Sequence, residues 1–173
     1  LRNFIPTRLN KIKTEFDKQM ANVQYVGENA VNKPVTGRDQ YVIIDRKAKA
    51  GVWTTLCLPF DISKGRIEYV FGTGSIVQRF SGVTTYGDGW TALNFSPVDD
   101  IKAGTPYIIK PALDVDVPFS LPWRVVNSDA PQTVTHNGCS FTGVYAPVDM
   151  IADGSLMVMD DTDGTVKPVT DAD

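Results

Sequence analysis

At 173 residues, with 42% apolar and 21% charged positions, the chain has the composition of an ordinary folded domain, and a length of this order buries about 70% of the unfolded surface. It contains no apolar run of the roughly 18 residues that a membrane-spanning helix needs. The net charge of −3 is uneven, +5 over residues 1–50 and −8 over residues 51–173. That acidic body argues against nucleic acid as the main partner, and the basic front reads as a solvated face or an arm for an acidic surface.

The chain starts at Leu1 with no charged-then-apolar leader, and reads as a processed form or a piece of a longer polypeptide. In "PTRLNKIKTEFDKQMANV" the apolar residues Leu9, Ile12, Phe16, Met20 and Val23 recur at spacings of 3, 4, 4 and 3. They make one stripe of an amphipathic helix, opened near Pro6 or Thr7 and closed at the latest by Gly27. The stripe is expected to pack on this domain, to pair with a partner helix, or to continue an upstream domain. Residues 27–39 are turn-rich and read as a linker. The expected division is therefore 1–39, helix and linker, and 40–173, a single β domain.

From residue 40 the texture changes. Short apolar runs at 40–45, 52–58, 66–71, 76–80, 90–95, 107–110, 115–119, 124–126, 133–136, 139–145 and 156–159 are expected strands. "GTGS", "YGDGW", "DAPQ", "HNG", "ADG" and "TDG" separate them as turns. Many short strands so punctuated predict a mainly β fold, an antiparallel β-sandwich of jelly-roll type with the helix at its N-terminus. No helical period is evident after residue 40. In "GVWTTLCLPF" Val52, Thr54, Leu56, Leu58 and Phe60 share one face and Trp53, Thr55, Cys57 and Pro59 the other. Both faces are largely apolar, which suits a central strand covered by the opposing sheet and by the amphipathic helix.

Chemistry-bearing residues are few. Cys57 and Cys139 lie in apolar strands without metal-ligand spacing. They are either two buried free thiols or one disulfide across two strands, the latter requiring an oxidising compartment. The single histidine, His136, precedes an Asn-Gly pair and reads as a hairpin residue rather than a general base. "FGTGS" lacks the spacing of a phosphate loop and is a turn. In "MDDTDGTV", Asp161 and Asp163 fit calcium-loop positions if Gly164 is the turn glycine, but Met159 and Thr170 fall where acids are needed. A hairpin turn is expected, with Asp160, Asp161 and Asp163 as a weak surface calcium site at most, and no other cofactor. Tyr86, Asp88 and Trp90 surround a loop tip, and Trp123 stands beside Arg124. Flat aromatic faces beside a carboxylate suit a sugar ring, while packing over a sheet edge is the plainer role for Trp90.

Together "GVWTTLCLPFDI", "LNFSPVDDIKAGTPYIIKP" and "FTGVYAP" resemble a β-rich module that recurs in secreted and cell-surface proteins of Bacteroidetes. The matching positions are Trp53 to Phe60, Ala103 to Tyr107 and Phe141 to Tyr145, within a resemblance spanning residues 40–168. It implies export to the cell surface or medium, attachment to other domains, and a protein or glycan partner. It carries over no catalytic residue. Such modules close with an aromatic run after a segment like "TVKPV"; here the sequence ends at Asp173 instead, so either this member dispenses with that strand or the strand is missing, and a missing strand would leave a sheet edge open to another chain. The expected role is a non-catalytic structural or adhesive module, with carbohydrate binding through Trp90, Tyr86, Asp88 and Trp123 as the alternative. A hydrolase is disfavoured because no paired carboxylates stand in a recognisable motif.

Overall fold

Residues 23–27, 36–89, 91–116, 119–126, 131–145, 150, 152, 155–160 and 162–169 are described by a computed structural model of the chain. They are mainly β. One sheet has the order β1 (Val23–Gly27), β2 (Gly37–Asp45), β7 (Phe119–Val126), with β1 parallel to β2 and β7 antiparallel to it. A second, wholly antiparallel sheet has the order β3 (Thr54–Leu56), β6 (Tyr107–Lys110), β4 (Ile76–Thr85), β5 (Thr91–Val98). Two hairpins complete the strands, β8 (Thr133–His136) with β9 (Cys139–Thr142), and β10 (Met157–Met159) with β11 (Val166–Pro168).

Several expectations change. The stripe residues Leu9, Ile12, Phe16 and Met20 lie outside the described residues, but Val23 opens a strand instead of closing a helix. Valine and tyrosine favour a pleated surface, and "VQYVG" finds a partner in register, Val23 opposite Tyr41 through Gly27 opposite Asp45. β2 likewise begins inside the expected linker, at Gly37. Residues 66–71, expected as a strand, belong to the helix α1 (Lys64–Phe71). "IEYVF" alternates as a strand does, yet Ile67 and Phe71, four apart, are the two buried residues of the segment. Ser63 and Gly72 bracket it. The backbone N–H of Lys64 donates to Asp100 Oδ1 at 3.2 Å, and Gly72, at φ 93, returns its N–H to the Glu68 carbonyl. The expected strands 115–119 and 124–126 become one: Val115 makes only a bridge to Ala48, and β7 runs through Pro122. Among the described residues β7 pairs with β2 alone, and a proline is tolerated at a sheet edge.

A single core cluster draws on both sheets and the helix. Val26, Val42, Ile44 and Leu121 enter from the first sheet, Leu56, Val77, Tyr107 and Ile109 from the second, and Ile67 and Phe71 from α1. The Phe71 ring meets Phe119 edge-on at 5.6 Å, so the helix bridges the sheets. β3 is not central, since it ends the strand order next to β6. Its segment is nevertheless covered on both sides, which is why Leu56, Cys57, Leu58, Pro59 and Phe60 are all buried.

Among the described residues, the second cover is the β8–β9 hairpin; the expected cover by the N-terminal stripe falls on residues outside those described. The Phe80 ring contacts His136 at 5.1 Å and Phe95 at 5.5 Å, and Phe141 reaches Phe95 at 5.9 Å. Beside these rings, Gln132 N–H donates to the Gly104 carbonyl at 2.7 Å, and Gly143 N–H donates to the Gln132 carbonyl at 3.0 Å. Gly143 fits because it lacks a side chain: a Cβ there would stand 2.6 Å from Cys57 Sγ and 3.2 Å from Pro131 Cβ. Gly143→Ala should therefore cost about 1–3 kcal/mol through overpacking, read as a lowered midpoint in urea. In a double-mutant cycle with Cys57→Ala the coupling should be favourable by about 1 kcal/mol. A wild-type midpoint for the single variant, or no coupling, would mean that the hairpin is not seated on Cys57.

Candidate functional site

Among the described residues, one group of exposed side chains lies on the distal half of the β4–β5 hairpin; others stand at Tyr69, at Leu113 and on the β10–β11 hairpin, at Met157 and Val166. In the proximal half of the β4–β5 hairpin, β4 is held on both flanks. Val77 pairs with Val98 on one side and Ile109 on the other, and enters the core. A register shift between Phe80 and Gly82 marks a bulge at Ser81, whose hydroxyl donates to the Asn94 carbonyl at 3.1 Å. Beyond the bulge Thr84, Thr85, Thr91, Leu93 and Asn94 are exposed. The tip closes with Gly89, at φ 90, donating its N–H to the Tyr86 carbonyl at 3.0 Å. Tyr86 there is 55% exposed and Leu93 42%.

Of the expected glycan set, Tyr86 and Asp88 stand together at this tip, both exposed. Trp90 lies outside the described residues. Trp123 belongs to β7, in the other sheet, and its side chain also lies outside what is described. Sequence reasoning missed Leu93. Its exposure follows from the bulge, which lets the hairpin run on past the face that Phe80 and Phe95 share with the β8–β9 hairpin.

Asp160 and Asp163 form the turn between β10 and β11. Asp160 Oδ1 accepts from the Thr162 N–H at 2.8 Å and from its hydroxyl, and Asp163 Oδ1 accepts from Thr165 N–H at 2.8 Å and its hydroxyl at 2.6 Å. Lys167 Nζ lies 2.5 Å from Asp160 Oδ2 and 3.4 Å from Asp163 Oδ2. The ammonium thus occupies the ground that a calcium ion would need, a partner that the EF-hand template did not bring into view. Asp161 lies outside the described residues, among which no three His, Cys, Asp or Glu side chains gather as a metal group. The Lys167 hydrogen bond, with those from Thr162, holds Asp160 far below the usual carboxylate range, and the bonds from Thr165 lower Asp163.

Cys57 and Cys139 are free thiols, not a disulfide. Cys57 packs on Gly143, whereas Cys139 stands opposite His136 at the other end of β9. Burial pushes the Cys57 thiol up to about 12 against the pull of Arg46. His136, before Asn137 at φ 47 and Gly138 at φ 81, lies against Phe80 as a hairpin residue. Between the sheets, Ile44, Leu56, Phe71, Ile109 and Phe119 line a pocket of about 10 Å³. That is room for about one water molecule, against the several hundred Å³ of a small-molecule site.

Two measurements check these assignments. Alkylation at pH 8 without reductant should spare Cys57 in the folded protein and modify both cysteines after unfolding; an unfolded chain that takes up no reagent has a disulfide. For Asp160, the fold favours the carboxylate. The contribution of the β10–β11 turn should be complete above the unfolded pKa of about 3.9 and decline as pH falls through the lower folded value. An NMR titration should place the Asp160 midpoint below that of a free aspartate and show it rising in Lys167→Met; a midpoint near 4 in the intact protein excludes the ion pair. No family model, curated protein sequence or solved structure matches this chain, so its function is argued from geometry alone.

Proposed function

We infer that the chain is a non-catalytic structural or adhesive module of an exported bacterial surface protein, its two sheets forming the halves of a β-sandwich. The observation that carries this is where the most distinctive segments go. Leu56, Leu58 and Phe60 of "WTTLCLPF", and Tyr107 and Ile109 of "GTPYII", all enter the core cluster. They build a frame. On this reading the contact surface is the distal β4–β5 hairpin, a loop-bearing projection on a rigid base, which is how binding surfaces are commonly mounted.

Carbohydrate binding is the second reading, favoured by one observation: Tyr86 and Asp88 are exposed side by side at the hairpin tip. An antibody against the folded domain should label intact cells of the producing organism; labelling only after permeabilisation excludes export. A glycan array should remain silent for the structural module. Binding to any glycan that Tyr86→Ala weakens about tenfold or more, the loss of one aromatic contact, replaces that reading with the carbohydrate-binding one.

A further inference from the structure

The two ends of the four-stranded sheet are finished differently. At one end β3 is only three residues long, and Arg46 lies over it, its Nη2 donating to Thr55 Oγ1 at 2.8 Å. At the other end β5 is eight residues long, and no strand follows it in the order among the described residues. From Gly89 to Val98 the sequence has no ionisable side chain. Exposed edges are usually blunted by charge, by shortness or by proline. Here only Pro97 serves.

Pro97 also reveals which backbone groups face outward. It pairs with Gln78 on β4 and has no N–H, so its nitrogen takes a position facing away from β4. Antiparallel pairing alternates, so residues 91, 93 and 95 also point their N–H and C=O groups to the free edge. The Ser81 hydroxyl bond to the Asn94 carbonyl confirms the phase, since residue 94 points inward toward β4. The open edge therefore offers three donor–acceptor positions in a row, ended by a proline.

We propose that this edge pairs with the same edge of a second copy, β5 antiparallel to β5 about a two-fold axis at Leu93. That register sets Leu93 opposite Leu93 and Thr91 opposite Phe95, satisfies all three outward positions on each strand, and leaves Pro97 outside the paired stretch. A self-paired strand meets its own sequence, so any ionisable residue at its centre would face a like charge; this strand has none. Leu93, 42% exposed in the single chain, is covered by its counterpart. The pairing deepens the reading of the β4–β5 hairpin as the contact surface and names its partner as the chain itself.

Size-exclusion chromatography with light scattering on the full chain tests this. Over about 10 to 500 µM, the range expected of a small interface, the mass should rise from 19.0 kDa toward twice that value. Leu93→Lys and Leu93→Glu should each weaken association at least about tenfold, because like charges then face one another across the axis. An equimolar mixture of the two variants should restore dimer, which also shows that each is folded. A wild-type chain that stays monomeric, a Leu93→Lys variant that dimerises as well as wild type, or a mixture that fails to associate overturns the proposal. None of these outcomes bears on export, whose failure is read from cell labelling.

Discussion

The interaction on which the rest depends is the lacing of residues 51–62 to residues 101–111. Gly51 N–H donates to the Pro111 carbonyl at 2.8 Å and Gly104 N–H to the Leu58 carbonyl at 2.8 Å, while Ile62 and Ile101 exchange bonds of 3.0 and 2.9 Å. Between them β3 pairs with β6, Thr54 opposite Ile109 and Leu56 opposite Tyr107. Asp61 adds a carboxylate bond to Ala103 N–H at 2.8 Å, and the Tyr107 hydroxyl accepts from Lys102 N–H at 3.1 Å. Since β6 is also the neighbour of β4, and β4 of β5, the whole second sheet is built outward from this seam.

The same seam positions the helix. Leaving the Ile62 bridge, the chain enters α1 at once, where Asp99 and Asp100, just before Ile101, supply partners to the Lys64 side chain at 2.9 Å and to its backbone N–H. At the other end the Phe71 carbonyl accepts from both Ala112 and Leu113 N–H at 2.9 Å. Gly72 is required there on two counts: its φ is 93, and a Cβ would meet Leu113 Cγ at 2.7 Å. An eight-residue helix is too short to be stable alone. It persists because both termini are tied to the strand that closes the seam and because Ile67 and Phe71 complete the core.

What was legible in the sequence follows from this arrangement. The mainly β character, the burial of Leu56, Leu58 and Phe60, and the His136 hairpin were evident because pleat alternation and Asn-Gly turn chemistry are local signals. The helix at 64–71 was not, since its two-residue core face coincides with a strand-like alternation and its N-terminal partner comes from Asp100, far along the chain. β1 was hidden by a different cause: parallel pairing with β2 is non-local, and Val23 fitted a helical stripe as well as a strand. The carboxylates of the β10–β11 turn read in sequence as cation ligands; in the fold Lys167, four residues past Asp163, makes ion pairs with Asp160 and Asp163. Leu93 reads in sequence as one more apolar strand residue, and only the bulge at Ser81 separates the buried half of its hairpin from the exposed half.

That separation has a consequence for how the surface can change. Residues 76–79 pair with β6 and, through Val77, enter the core, while the Phe80 and Phe95 rings lie against the β8–β9 hairpin. Residues 82–94 lie beyond that support. Val83 does accept a bond from Asn137 Nδ2 at 3.3 Å, but the paired residues here are otherwise held mainly by the ladder between β4 and β5. Substitutions in the distal half therefore alter a contact surface without disturbing the seam, and its opening free energy falls below that of the core by the same logic. Residues 54–62 and 101–111 have less freedom, because β3 pairs with β6, Ile62 with Ile101, and Leu56, Leu58, Phe60, Tyr107 and Ile109 fill the core. A fold constrained in this way keeps its frame while its projecting hairpin remains free to diverge.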